Sequence, residues 1–199
     1  MHKLLHVGCG HSTKANTTPG FNTPEWIEVR VDIDPECKPD QIGSITDLHG
    51  TADQSVDAIF SSHNIEHVFA HEVPKALSEF RRVLKPEGFL VLTCPDLQSA
   101  CEAVAQDRLL DTLHVAPVGP IAALDILYGL RPALARGNHH MAHKCGFTWS
   151  SLRSLLFGAG FKSVYGGRRP ANYDLWVIAF NEAKTDDEMA QAARLHLPQ

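Results

Sequence analysis

"LLHVGCGHSTKANTTPGFNTPEWIEVRVDIDP", residues 4–35, decides the fold. An apolar run ends in Gly8-Cys9-Gly10, and a second apolar run ends in Asp32. Two buried strands, with a glycine turn after the first and an acid closing the second, are the opening of a nucleotide-binding parallel sheet. A long amphipathic helix would ordinarily join them. Here the join contains Thr17-Thr18-Pro19-Gly20-Phe21-Asn22-Thr23-Pro24. Each proline blocks the turn before it, so no continuous helix can form.

Outward from that stretch, Asp57–Ser62 follows polar Asp53-Gln54-Ser55 and reads as a third clear strand. From His71 to Lys85 the apolar residues Val73, Ala76, Leu77, Phe80, Val83 and Leu84 recur at three-to-four spacing, which predicts an amphipathic helix. Lys85-Pro86-Glu87-Gly88 stops it, and Phe89–Cys94 is another buried strand. Residues 97–147, rich in Ala, Leu and His, read as an insertion with helices near 98–111 and 120–130. Thr148 caps a helix through Gly158, and strands follow at Lys162–Tyr165 and Leu175–Phe180. Gly166-Gly167 and Pro170 between those two strands suit a reversal, so the last pair is expected to be antiparallel. The charged tail, 182–199, is expected to form one exposed helix. The fold expected is α/β: a Rossmann-like doubly wound sheet, mostly parallel with an antiparallel last strand, a shortened first helix and a helical insertion after the fifth strand, all in a single domain spanning 1–199.

The 199 residues suffice for one such core. A net charge of -5 excludes a large basic field, so no nucleic-acid partner is expected. No run of eighteen apolar residues exists, so no membrane partner is expected. Five scattered cysteines without a C-x-x-C pair fit a reducing cytoplasm.

The glycine turn and Asp32 alone would suit dehydrogenases, flavoproteins and methyltransferases alike. A pyrophosphate needs a helix N-terminus aimed at it; here Thr occupies position 13 and the helix behind it is at most about one turn. A ligand with adenosine but no phosphate, such as S-adenosylmethionine, does not need that helix. "LLHVGCG", "VRVDIDP", "SITDLHGTADQSVDAIFSSHNIEHV" and "ALSEFRRVLKPEGFLVLTCPDL" resemble, in order and spacing, the class I S-adenosylmethionine-dependent methyltransferases of type 11. The likeness is greatest to a subgroup with a Pro-Gly loop in place of the first helix. It covers roughly residues 3 to 97, and "FTWSSLRSLLFGAGFKSV" (147–164) looks like the family's closing helix-strand unit. Ser12 stands where the family usually has a third glycine.

The resemblance implies that Gly8 and Gly10 form the turn beneath the methionine part of the cofactor. It implies that Asp32 holds the ribose and Ile33 lies on the adenine. Either Ser44, beside Ile45, or Asp47 would meet the adenine edge. Ser61, Ser62 and His63 would sit at the mouth of their strand, facing the sulfonium and the acceptor. Cys9 reads as a small residue in a tight turn.

His63, Glu66 and His67 share one face if a helix starts after that strand. Three accounts stay open: a cap that orients the helix, His63 as the base that accepts the acceptor's proton, and a metal. Small-RNA 2′-O-methyltransferases of this class hold a divalent ion with Glu-x-x-Glu-His and a distant His. Here His63 replaces the first Glu, and "NHHMAHKC" supplies His139, His140, His143 and Cys145. Metal candidates are therefore His63, Glu66, His67, His140 and His143, a set that suits zinc, iron or nickel. The expectation without a metal places His140 and His143 with Arg131 and Arg168 around the acceptor, since guanidinium forks match carboxylates and phosphates. The expected function is methyl transfer from S-adenosylmethionine to an oxygen or nitrogen of a small molecule, with 97–147 as the acceptor's lid and a homodimer left open. The rivals are a cofactor-binding module without turnover and a metal-dependent enzyme built on the histidines.

Overall fold

The computed structural model describes residues 1–198, and the strands fall where the apolar runs are. The first, β1 (His2–Val7), pairs in parallel with β2 (Trp26–Asp32) on one side and β4 (Val56–Ser62) on the other. A two-residue strand, β3 (Gln41–Ile42), extends the sheet beyond β2, and β5 (Leu84–Pro95) lies parallel to β4. The last strand, β9 (Asp174–Phe180), runs antiparallel between β5 and the edge strand β8 (Ser163–Arg169). The order is β3-β2-β1-β4-β5-β9-β8. The expected doubly wound sheet with an antiparallel last strand is present.

Alternation along the strands sends side chains to two faces. Leu5, Val7, Ile59, Leu90, Leu92 and Val177 bury against Leu77 and Phe80 of α1 (Val73–Val83) and Leu152 and Leu156 of α5 (Trp149–Gly158). The Thr148 hydroxyl accepts from the Ser151 amide and caps α5 as expected. Leu4, Ala58, Phe60, Val91, Ile178 and Phe180 face the other way.

That second face is where the missing first helix would pack. The join after β1 keeps one short 3₁₀ turn, Lys14–Asn16. Lys14 clips its far end, its ammonium donating to the carbonyls of Thr23 and Trp26 at 2.8 and 2.6 Å. Phe21 then drops fully into the core, edge-on to Trp26 and Phe60 and stacked on Phe89. The tail completes the cover: Met189, Ala192 and Leu197, from α6 (Asp186–His196) and just after it, pack on the same cluster. His196 is buried against Phe21 with ring centroids 4.2 Å apart, and its Nδ1 pairs with the Thr18 hydroxyl at 2.9 Å. The tail helix is thus half core, not an exposed appendage.

The insertion also differs from its expected form. Its first helix, α2 (Leu97–Ala105), ends early, and residues 112–122 form a hairpin, β6 (Thr112–Ala116) with β7 (Gly119–Ala122). Short helices α3 (Ala123–Tyr128) and α4 (Arg131–Ala135) follow. Asp107, at φ +59°, breaks the first stretch well before residue 111, and Pro120 lies in β7, so the second helix starts only at Ala123. No helix among the described residues is long and apolar enough to cross a membrane.

Candidate functional site

Strand order reverses between β1 and β4, and ligands of open α/β sheets lie in the crevice outside the strand ends there. A cleft of about 510 Å³ opens at that place. Gly8 and Gly10 form one wall, with φ of +62° and +52°. A side chain at Gly8 would collide with Asn64, its Cβ falling 2.4 Å from the Asn64 side chain, so the loops after β1 and β4 meet only because position 8 is glycine.

Asp32 organises the turn. Its carboxylate accepts from the amide of Gly10 at 2.7 Å and from that of Asp34 at 2.9 Å. Arg30 substitutes for the absent helix by donating to the carbonyls of Gly10, Ser12, Cys37 and Lys38 at 2.7 to 3.1 Å. The turn therefore keeps its shape without helical hydrogen bonds behind it. The Cys9 thiol is pushed up to about 11, mainly by burial, and stays protonated at neutral pH. That is the behaviour of a packing residue rather than a nucleophile.

Of the cofactor residues expected from sequence, Gly8, Gly10, Asp32, Ile33, Ser44 and Ile45 all line the cleft. Ile33 presents an exposed apolar surface beside Asp32, suited to a flat base. Between the two candidates for the adenine edge, the structure separates Ser44 from Asp47. Ser44 lines the cleft, whereas Asp47 turns outward and accepts from the amide of His49. Ser61 and Ser62 are corrected as well: Ser61 is fully buried within the sheet, and neither residue lines the cleft.

The opposite wall comes from the end of β4 and from the insertion. His63 sits at the rim in the left-handed region, φ +46°, a conformation that a non-glycine residue adopts at a cost. Its amide donates to the Thr93 carbonyl, which fixes the loop. His67, Phe69, His140, Met141 and Lys144 continue this wall. No sequence signal marked Phe69 or Lys144; the Lys144 ammonium lies 4.9 Å over the Phe69 ring and joins the insertion to the loop after β4.

Two arginines expected at the acceptor are engaged elsewhere. Arg131 forms a bidentate pair with buried Asp125 at 2.7 and 2.9 Å and locks α3 to α4. Arg168 donates to buried Asp96 and to Ser99 and ties β8 to α2. Neither lines the cleft. His143 is also beneath the surface, and its Nδ1 donates to the Ile126 carbonyl at 2.7 Å.

Below the rim lies Glu66, 1% exposed, with no hydrogen bond to either carboxylate oxygen. His63 Nδ1 is 3.5 Å from its Oε1 and His143 Nε2 is 4.0 Å, both outside good hydrogen-bond geometry. Burial would raise the Glu66 pKa, but His63, His67 and His143 around it hold it below the usual range. Reciprocally, burial opposes charge on His63, and Glu66 outweighs burial to raise its pKa.

Residues 5–92 match the family model described as a methyltransferase domain. Over that stretch the chain is similar to methyltransferase domains. Solved structures share its fold. The PH0226 protein of Pyrococcus horikoshii is 14% identical with a TM-score of 0.61, over 91% of this chain and 82% of that one. A SAM-dependent methyltransferase of Archaeoglobus fulgidus is 16% identical with a TM-score of 0.55, over 90% and 86%. A possible histamine N-methyltransferase of Thermotoga maritima is 15% identical with a TM-score of 0.55, over 92% and 83%. Two other structures are longer, and the chain spans 49% of one and 62% of the other. None of the curated proteins matches the sequence.

Proposed function

We propose that this protein moves the methyl group of S-adenosylmethionine to an oxygen or nitrogen of a small molecule, and that His63 accepts the acceptor's proton when that atom is oxygen. One observation carries the reading: the Gly8–Gly10 turn and Asp32 face His63 across a single cleft at the point where strand order reverses. The Asp32 carboxylate, already oriented by two amides, keeps lone pairs for the ribose hydroxyls. Ile33 supplies the apolar surface for adenine and Ser44 a polar edge. Asp32, Ile33 and Ser44 would hold the adenosyl group on that side, and the methyl group it supplies would be received on the side of His63.

The sulfonium already activates its methyl group, so the protein's work is alignment and exclusion of water. Segment 138–144 of the insertion contributes Asn138, His140, Met141 and Lys144 to the cleft, which suits its role as part of the acceptor's lid. S-adenosylmethionine would supply the methyl group, its sulfur keeping the electron pair of the broken S–C bond as the acceptor–carbon bond forms, and His63 would take the proton that an oxygen acceptor loses.

His63→Ala should lower turnover with an oxygen acceptor by about a hundredfold or more while leaving cofactor affinity nearly unchanged, because a base acts in the transition state. Transfer of a labelled methyl group to a panel of hydroxyl and amine acceptors, with parallel calorimetry, checks both halves. Unchanged turnover on a hydroxyl acceptor removes His63 from the reaction.

A further inference from the structure

Glu66 poses a physical problem: its carboxyl group is almost fully buried, and neither oxygen has a hydrogen-bond partner. Burying a carboxyl group without a partner is costly, and coordination of a metal removes that cost. The two imidazoles beneath the rim bear on the answer. His67 Nδ1 lies 3.1 Å from the Ala142 carbonyl and His143 Nδ1 lies 2.7 Å from the Ile126 carbonyl. A carbonyl can only accept, so both Nδ1 atoms carry the hydrogen and both Nε2 atoms keep a free lone pair. Backbone carbonyls that fix the tautomer of a histidine in this way are the usual outer partners of metal-bound imidazoles.

From this arrangement we infer a divalent transition-metal site formed by Glu66, His67 and His143. One ligating atom from each of the three lies within 4.8 Å of the others. Two imidazole nitrogens and one carboxylate oxygen form a donor set for zinc or a similar borderline ion, with bonds of about 2.0–2.2 Å. In a tetrahedral site of that size ligand atoms stand roughly 3.4 Å apart. The 4.0 Å between His143 Nε2 and Glu66 Oε1 needs only a small contraction. The framework is tied as a metal site requires: the amides of Lys144 and Cys145 both donate to the Glu66 carbonyl, joining the loop after β4 to the end of the insertion.

Three protein ligands leave a coordination position open, and His67 lines the cofactor cleft, so the site borders the place where the acceptor would lie. On the methyl-transfer reading above, and resting on it, the open position selects an acceptor whose hydroxyl can ligate the ion. The ion would favour loss of the hydroxyl proton.

Chain stripped with a chelator and dialysed should bind one equivalent of Zn²⁺ or Co²⁺, with a cobalt spectrum of low coordination number. Glu66→Gln and His143→Ala should each weaken that binding by about a hundredfold or more, whereas exposed His139→Ala should leave it unchanged. X-ray absorption on the wild-type chain, which depends on no variant folding, should show two imidazoles on the metal. Wild type that binds no metal at one equivalent, or metal without imidazole ligation, overturns the site. Calorimetry with S-adenosylmethionine on the same preparation separates the two proposals. Loss of metal with cofactor binding intact sinks only the metal site, and tight metal with no cofactor affinity sinks only methyl transfer.

Discussion

The two faces of the sheet are covered by different means. On one, α1 and α5 lay regular apolar stripes over Leu5, Ile59, Leu90 and Val177. On the other, a proline-broken loop inserts a single aromatic, Phe21, and α6 from the far end of the chain closes over it. The Gly20 amide donates to the Leu195 carbonyl, and Gly20 itself lies so close to His196 that a Cβ there would fall 2.5 Å from the ring. A face of a Rossmann-like sheet can therefore lose its first helix if one buried aromatic and a distant helix replace the apolar area. What is not replaced is the helix N-terminus behind the glycine turn; Arg30 fills only its carbonyl partners. That difference suits a ligand without phosphates.

The comparison breaks most visibly if α6 is removed. Ending the chain after Ala183 uncovers Phe21, Phe60 and Phe180 together, and the loss should exceed about 5 kcal/mol, comparable to a whole domain's stability. Soluble yield and urea unfolding measure it; a truncated chain as stable as the full one would show that the loop covers this face alone. Next in size, Phe21→Ala should cost about 3–5 kcal/mol, the same as Phe80→Ala beneath α1. A cost at position 21 well below that at position 80 would reduce the loop to decoration.

Smaller still is an acid effect. Burial lowers the His196 pKa to about 4, while the unfolded chain keeps the ordinary value near 6.5. Between those values the unfolded state binds more protons, so stability is complete above about pH 6.5 and is lost as pH falls toward 4. The loss attributable to this ring is up to about 3 kcal/mol. Buried His6 and His143, also lowered, act in the same direction. Comparing denaturation of wild type and His196→Gln from pH 7 to 4 isolates the contribution of α6. Parallel curves would show that His196 titrates normally in the folded chain.

The sheet, the shortened first helix, the glycine turn and Asp32 were legible because each is a local pattern: an apolar run, a proline, an acid at a strand end. The same holds for the Thr148 cap. Legibility failed where position depends on distant segments. Met189 and Ala192 look like part of a polar helix until Phe21 lies beneath them. Arg131 and Arg168 looked free until Asp125, six residues away, and Asp96, seventy-two away, claimed them. Nor does spacing reveal that Glu66 and His143 meet. Asp47 misled because one turn, in which Ser44 bridges to Asp47, points only the first of them into the cleft.

The central claim, that a glycine turn without its helix holds an adenosyl ligand through Asp32, is tested most directly by calorimetric titration. S-adenosylmethionine and its demethylated product should each bind one per chain, and NAD much more weakly. Asp32→Ala should weaken the adenosyl ligands by about 1–3 kcal/mol, the cost of a lost charged hydrogen-bond partner. NAD binding tighter than either adenosyl ligand, or affinity indifferent to Asp32, would contradict it.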